Sequence, residues 1–344
     1  MVAVVACCVG VSSAAAPGVI RTIHVGGSHE AVSSDGTHVW VANGPYNSVS
    51  EIDALSGTVI RTIPAGRDPL GVSSDGTHVW VANGRASASG EDTVSEINAS
   101  SGTVIRTIVV STAGPDGGFP FGVSSDGTHV WVTNGDSNYE RAVTEIEASS
   151  GTVIRTIHVG VNPGAVSSDG THVWVATNGG NGRERAVGEI EASSGAVIRT
   201  IPVCGEPLGV SSDRTHVWVV CNNGTEQGGA VTEIAASSGT VIRTIHVHGS
   251  SWSISSDGTH VWVANESVAY AKVVHKGTVS EIRASSGAVI NTISTGENPL
   301  EVSSDGTHVW VPNWGDTVSE IPTSYTVAKR PAKKKAKGQS KKKP

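Results

Sequence analysis

Charged side chains are scarce in this sequence. They make up 16% of the 344 residues, against roughly a quarter in an ordinary soluble domain, so long solvent-exposed helices are not expected. Lysine is nearly missing from the body of the chain, where only Lys272 and Lys276 precede residue 329. The four cysteines include no Cys-x-x-Cys pair, which excludes a zinc ribbon and a thioredoxin-like site. No apolar run reaches the roughly 18 residues that a membrane-spanning helix needs. A phosphate-binding glycine loop, a nucleophile elbow and a His-Glu-x-x-His helix are also missing, so no cofactor and no metal is expected. Phe and Tyr number only two and four, yet there are nine Trp, a ratio that follows if one Trp-bearing unit has been copied.

What is present is that unit. The string Ser-Ser-Asp-Gly-Thr-His-Val-Trp, with Arg214 in place of Gly once, ends at Trp40, Trp80, Trp131, Trp174, Trp218, Trp262 and Trp310, at spacings of 40, 51, 43, 44, 44 and 48. A period of about 40 to 50 residues, holding four short Val-, Ile- and Thr-rich segments between Gly, Asp and Ser turns, predicts one propeller blade. The chain is therefore read as all-β, a seven-bladed β-propeller with four antiparallel strands, A to D, in each blade. In the second unit strand A is expected near 70–73, B over 77–82, C over 93–97 and D over 104–109, with Arg106 facing solvent. The seventh unit stops after its third strand, at 317–321, and residues 18–23 supply the missing fourth. Such pairing of the first strand with the last blade closes the ring.

The ends differ from the body. Residues 2–11 form a short apolar run followed by Ala14, Ala15 and Ala16, the shape of a secretory h-region and cleavage site without a basic n-region. The expected organisation is a targeting segment over 1–16, the propeller over 17–328 and a disordered Lys-rich tail over 329–344. The tail carries nine positive charges, so a net charge of -7 leaves -16 for the rest. Export to the cell envelope or extracellular space is the expectation, with the cytoplasm as the alternative. Lys333, Lys334, Lys335, Lys337, Lys341, Lys342 and Lys343 suit an anionic polymer, acidic lipid or nucleic acid; with no aromatic among them, such binding is independent of sequence.

Trp131-Val132-Thr133-Asn134, Trp40-Val41-Ala42-Asn43 and five variants resemble the strand-B signature of YVTN-type β-propeller repeats, over about residues 18–322. The resemblance implies the propeller architecture. Such propellers are implicated in surface, envelope and nucleic-acid roles, so it implies fold far more than activity.

Residues repeated in every blade are read as scaffold. Seven His, from His38 to His308, each stand two positions before a Trp and suit a network with the turn Asp. Seven Glu, from Glu51 to Glu320, are read as exposed cross-strand partners of an Arg ten residues later, with Asn291 following Glu281.

Where the copies differ, function is expected. The Asp-to-Trp and Glu-to-Arg intervals are constant, whereas the distance from strand B to the strand-C Glu runs 8, 13, 11, 12, 12, 16 and 7, which puts the variation on one rim. Strand A normally begins Pro-Leu-Gly-Val. Three units break this: His29-Glu30-Ala31-Val32, Ser251-Trp252-Ser253-Ile254 after His248, and Pro299-Leu300-Glu301-Val302 with Trp314 in the next loop. These units neighbour one another in a closed ring, so His29, Glu30, His248, Trp252, Glu301 and Trp314 form the candidate ligand site at the channel mouth. Cys204 and Cys221 replace residues found in other units at the top of blade five, as a disulfide in an exported chain or as two thiols otherwise. Residues 136–140 alternate oxygen ligands but lack the rest of a calcium loop.

The expected function is a monomeric binding or scaffold propeller that catalyses nothing and holds a protein or small-molecule ligand on its variable rim. One alternative is a propeller lyase or hydrolase using His and Glu, in the manner of streptogramin lyases, although no motif of theirs is matched. Another is polyanion binding through the tail.

Overall fold

The computed structural model describes residues 18–27, 30–84, 92–111, 119–135, 141–179, 185–222, 228–266 and 276–324. Residues 1–16, His29, 136–140 and the Lys-rich tail lie outside the described residues.

Seven four-stranded antiparallel sheets follow one another around a ring. Strand β1 (Arg21–His24) is set aside for the end. Blade one is β2 (Ala31–Ser34), β3 (His38–Asn43), β4 (Ser48–Asp53) and β5 (Val59–Pro64), its strands A to D. Blades two to six run from β6 (Pro69–Ser74) to β9 (Val104–Ser111), β10 (Phe119–Ser125) to β13 (Thr152–His158), β14 (Pro163–Ser168) to β17 (Val197–Pro202), β18 (Glu206–Ser212) to β21 (Thr240–His246), and β22 (Ser250–Ser256) to β25 (Ala288–Ser294). Blade seven holds β26 (Ser303–Ser304), β27 (His308–Asn313) and β28 (Thr317–Pro322). Its fourth strand is β1, which pairs antiparallel to β28 with Arg21 opposite Glu320 and Ile23 opposite Val318. The ring is thus closed by the first strand, as the repeat count predicts.

The core is a set of layers between blades. Trp40 of blade one, for example, packs with Val72, Val79, Val81 and Ile97 of blade two, and all seven repeated Trp are fully buried. The continuous Val-Trp-Val-Ala run of strand B makes both faces of the blade apolar, and neighbouring blades cover them.

The Ser-Ser-Asp-Gly-Thr-His-Val-Trp string is the hydrogen-bond scaffold of those layers. In its A–B turn the Gly takes φ of +84° to +87°, and Arg214 adopts +75° in its place, a left-handed conformation that glycine reaches without a Cβ clash. One oxygen of Asp35 accepts from the Thr37 hydroxyl and the Thr37 and His38 amides. The other accepts from the Trp40 indole and from the Ser74 hydroxyl of the next blade, at 3.2 and 3.0 Å. The Ser-to-Asp bond crosses every blade boundary at 2.8–3.3 Å. The preceding Ser takes the next blade's backbone N–H at 3.0–3.1 Å. Burial acts to raise the pKa of these Asp, but the hydroxyl and amide donors, joined by the indole in every blade but the fourth, outweigh it and hold all seven below the ordinary carboxylate range.

Two expectations about repeated residues need correction. The Glu of strand C is not on an exposed face: Glu51, Glu145, Glu189 and Glu320 have no accessible side chain, and the paired Arg, Arg106 included, is only about a third exposed. The Arg also reaches past its own blade, as Arg61 donates to the carbonyls of Ser100 and Ser101 in the next blade's C–D turn. The His network involves that Glu as much as the Asp: His Nδ1 meets the Thr hydroxyl at 3.0–3.2 Å, and Nε2 faces the Glu at 3.5–3.7 Å.

Candidate functional site: a cup at the channel mouth

Counting back from the turn Asp, the fifth position before it lines the central channel in every blade, and the fourth does so in all but blade one, where Ala31 is buried in the layer between blades. Pro69 and Pro163 open their strands and Pro120 and Pro207 stand second in theirs, and a bulge follows each of them in the A–B pairing; blade six has the same bulge after Ser251. Proline at a strand start costs no ladder donor, and a bulge re-aims the side chains that follow it.

The fifth positions are Glu30, Leu70, Phe121, Gly164, Leu208, Trp252 and Leu300, and all of them line one cavity of about 490 Å³. Pockets for small ligands span roughly 300–1,000 Å³ and combine apolar walls with a few polar groups. Here the wall is mostly aliphatic and aromatic. The Trp252 indole is 39% exposed and is steadied by donating from Nε1 to Glu266 at 2.7 Å.

The fourth positions lie deeper and are small in six blades: Ala31, Gly71, Gly122, Ala165, Gly209 and Ser253. Strand A backbones of adjacent blades approach closely there, so a Cβ on Gly122 would stand 2.7 Å from the Gly164 carbonyl oxygen. Blade seven alone has a large residue, Glu301. It fits because β26 is cut to Ser303–Ser304, with Pro299 making only an isolated bridge to Asn313. The freed carboxylate reaches blade one and accepts the Val32 N–H at 2.7 Å. Burial pushes its pKa up to about 8; the Val32 amide works against this and the nearby Glu30 carboxylate adds to it. Glu30 is itself raised, by burial and then by Asp68. Glu30 and Asp68 crowd over Gly44, where a Cβ would lie 3.0 Å from Glu30 Cγ and 2.9 Å from Asp68 Oδ1.

The six residues singled out in the sequence therefore divide. Glu30, Trp252 and Glu301 line the cup. His248 is exposed in the turn before β22, and Trp314, 62% exposed, sits in the turn before β28 with its amide on the Glu297 carbonyl; neither lines the cup. Leu70, Phe121, Leu208 and Leu300 were not singled out, although superposing the seven units would have shown an apolar residue recurring one place after the strand-A Pro. Cys204 and Cys221 are joined by a disulfide with Cα atoms 5.9 Å apart, just outside the cup wall at Pro207 and Leu208.

A second cavity of about 610 Å³ opens at the other mouth, lined by the repeated Ser, Asp and Gly. Its carboxylates are committed to the bonds between blades described above, so the cup is the candidate site. Among the described residues no helix is long and apolar enough to cross a membrane.

No family profile and no curated protein matches the chain. Solved structures do. A structure titled Kuenenia stuttgartiensis Hydrazine Synthase superposes with a TM-score of 0.69 at 20% identity, covering 86% of this chain and 96% of that one. The structure of U3-55K gives 0.71 at 12% identity, with 89% and 100% covered. The Neurospora crassa Pan2 WD40 domain gives 0.65 at 10% identity, with 88% and 90% covered. At these identities the likeness establishes the propeller fold.

Proposed function

We propose that this propeller is a binding module that takes a small, largely apolar ligand in the cup on its variable face, without transforming it. The observation that carries the reading is the cup itself: strand A of all seven blades contributes to it, and the repeat is broken there by Glu30, Trp252 and Glu301. A ligand-observed NMR screen of aromatic and aliphatic fragments tests this. Binding by the parent that disappears in Leu208→Glu, with both proteins melting alike, supports the cup; binding indifferent to that change, or no binding at all, overturns it.

Three further readings belong to the same proposal. The strand-B Trp-Val-Ala/Thr-Asn signature supports kinship with YVTN-type propellers. The Cys204–Cys221 bond and the apolar run at 2–11 support export to an oxidising compartment. The Lys-rich tail supports a salt-sensitive polyanion anchor, which truncation at residue 328 would abolish.

A further inference from the structure

In blades two, four and seven the connection that leads into strand A is seated on the end of strand B by a Gly three places before the strand-A Pro. Gly66, Gly160 and Gly296 each lie against the residue that pairs with that Pro, namely Asn83, Thr177 and Asn313. A Cβ on Gly66 would come 2.2 Å from the Asn83 side chain. In blade seven the seat is a hydrogen bond, from the Gly296 N–H to Asn313 Oδ1 at 3.0 Å, and the same Asn donates to the strand-C hydroxyl of Ser319 at 3.0 Å. Blade five has Cys204 at the Gly place and Cys221 at the Asn place. Their disulfide takes over both contacts: it ties the connection to strand B, and the Cys204 sulfur lies 2.9 Å from the strand-C hydroxyl of Thr232. What it holds is a piece of the cup wall. Pro207 pairs with Cys221, the ladder resumes with Gly209 opposite Val220, and the bulge between them gives Leu208 to the cup with no ladder partner of its own.

Resting on the cup being a ligand site, we propose that the Cys204–Cys221 disulfide is a thiol-operated latch on it: cleavage by a dithiol reductant releases the stretch that carries Pro207 and Leu208 and weakens ligand binding. Cys221 is fully buried and Cys204 partly exposed, so the incoming thiolate reaches the Cys204 sulfur. The S–S bond breaks as the new one forms, and Cys221 leaves as a thiolate that takes up a proton. The second thiol of the reductant then attacks the mixed disulfide, frees Cys204 as a thiol and closes the reductant into its own disulfide. Two electrons and two protons have passed to the protein. Reduced blade five cannot rebuild the seat found in blade seven, because a thiol donates and accepts weakly where an amide does both well. The Arg185–Glu206 pair on the same stretch spans 3.2 Å with its side chains 45% and 46% exposed, and an ion pair so open to water holds little. The ring itself is held elsewhere, by layers such as that of Trp218, Val220 and Val231 against blade six.

The test follows a neutral apolar fluorophore, N-phenyl-1-naphthylamine, on the full chain before and after dithiothreitol, with hydrogen exchange read by mass spectrometry on the same samples. Reduction is expected to weaken binding about tenfold, the cost of ordering Leu208 and its neighbours again on binding. Exchange should quicken at residues 203–209 while the other blades keep their protection. Cys204→Ser with Cys221→Ser should bind like the reduced parent; binding like the oxidised parent overturns the latch. Cys204→Gly with Cys221→Asn, the pairing that blade seven uses, should bind like the oxidised parent and ignore dithiothreitol. A response to dithiothreitol that persists in this variant overturns the assignment, since it would then arise at Cys7 or Cys8, the two other cysteines. Leu208→Glu separates the latch from the reading beneath it. If the fluorophore does not bind the oxidised parent, or binds Leu208→Glu equally well, the cup reading falls and the latch with it. If it binds at the cup but reduction changes its affinity by less than about twofold, or quickens exchange in every blade alike, the latch is overturned and the cup reading stands.

Discussion

Arg214 holds the A–B turn position that is glycine in the other six blades, at φ +75°. A side chain in that region costs about 1 kcal/mol through its Cβ, so Arg214→Gly is expected to raise stability by about that much in chemical denaturation. Trp174 is the other single-residue exception. Six of the repeated indoles donate to their turn Asp at 3.0–3.4 Å, whereas the Trp174 Nε1 is buried with no acceptor. Trp218→Phe should thus cost about 1 kcal/mol more than Trp174→Phe in paired unfolding curves, because only the former loses a hydrogen bond. Glu301 makes the fold sensitive to alkali. Its folded pKa, near 8, lies above its ordinary value, so the stability it contributes is complete in acid and declines as pH rises through that interval. Glutamine does not ionise, and the melting temperature of Glu301→Gln relative to the parent should climb from about pH 5 to pH 8 and then level off. The seven turn Asp act in the opposite sense: their lowered pKa values supply stability above the ordinary Asp range that is lost as pH falls below it.

At the scale of the element, strand D of one blade braces the C–D turn of the next. Arg21 donates to the Leu55 carbonyl at 2.9 Å, Arg61 to Ser100 at 3.1 Å and Arg155 to Ser193 at 3.4 Å. Blade six has Asn291 instead, bonded to Glu281. Its next neighbour is blade seven, where β28 and β1 are not joined by a turn, so an Arg there would find no C–D turn to hold. Arg61→Asn is accordingly expected to cost about 2 kcal/mol, leaving the buried Glu51 without its charged partner, while Asn291→Arg should leave stability within about 0.5 kcal/mol of the parent; thermal melts of the two variants check both. The blades, their four strands and the missing seventh strand D were legible because the Ser-Ser-Asp-Gly turn and strand-B Trp recur at blade spacing. The burial of the Glu–Arg pairs was not, since a hairpin pair has the same spacing whether its face meets water or another blade. The cup was half legible: Glu30, Trp252 and Glu301 departed from the repeat, but the bulges that turn Leu70 and Leu208 into the channel leave no mark in the alternation.

The whole molecule is a ring whose only covalent gap is bridged by one strand. Deleting residues 18–25 would remove the β1 ladder, the Arg21–Glu320 pair and the buried Ile23 and Val25. The melting temperature is expected to fall by about 10 °C or more, as read by a circular dichroism melt; a truncated chain that melts like the parent would contradict the closure. That closure also sets a timetable. Arg21 and Glu320 are 299 positions apart, and at a synthesis rate of about 5–20 residues per second the ribosome takes roughly 15 to 60 s to cover that distance. The strand made first is therefore the one paired last. Through that interval its Val-Ile-Arg-Thr-Ile segment shares its sequence with the outer strands of the blades being built. The nascent chain must reach its final blade before a neighbouring edge captures its beginning.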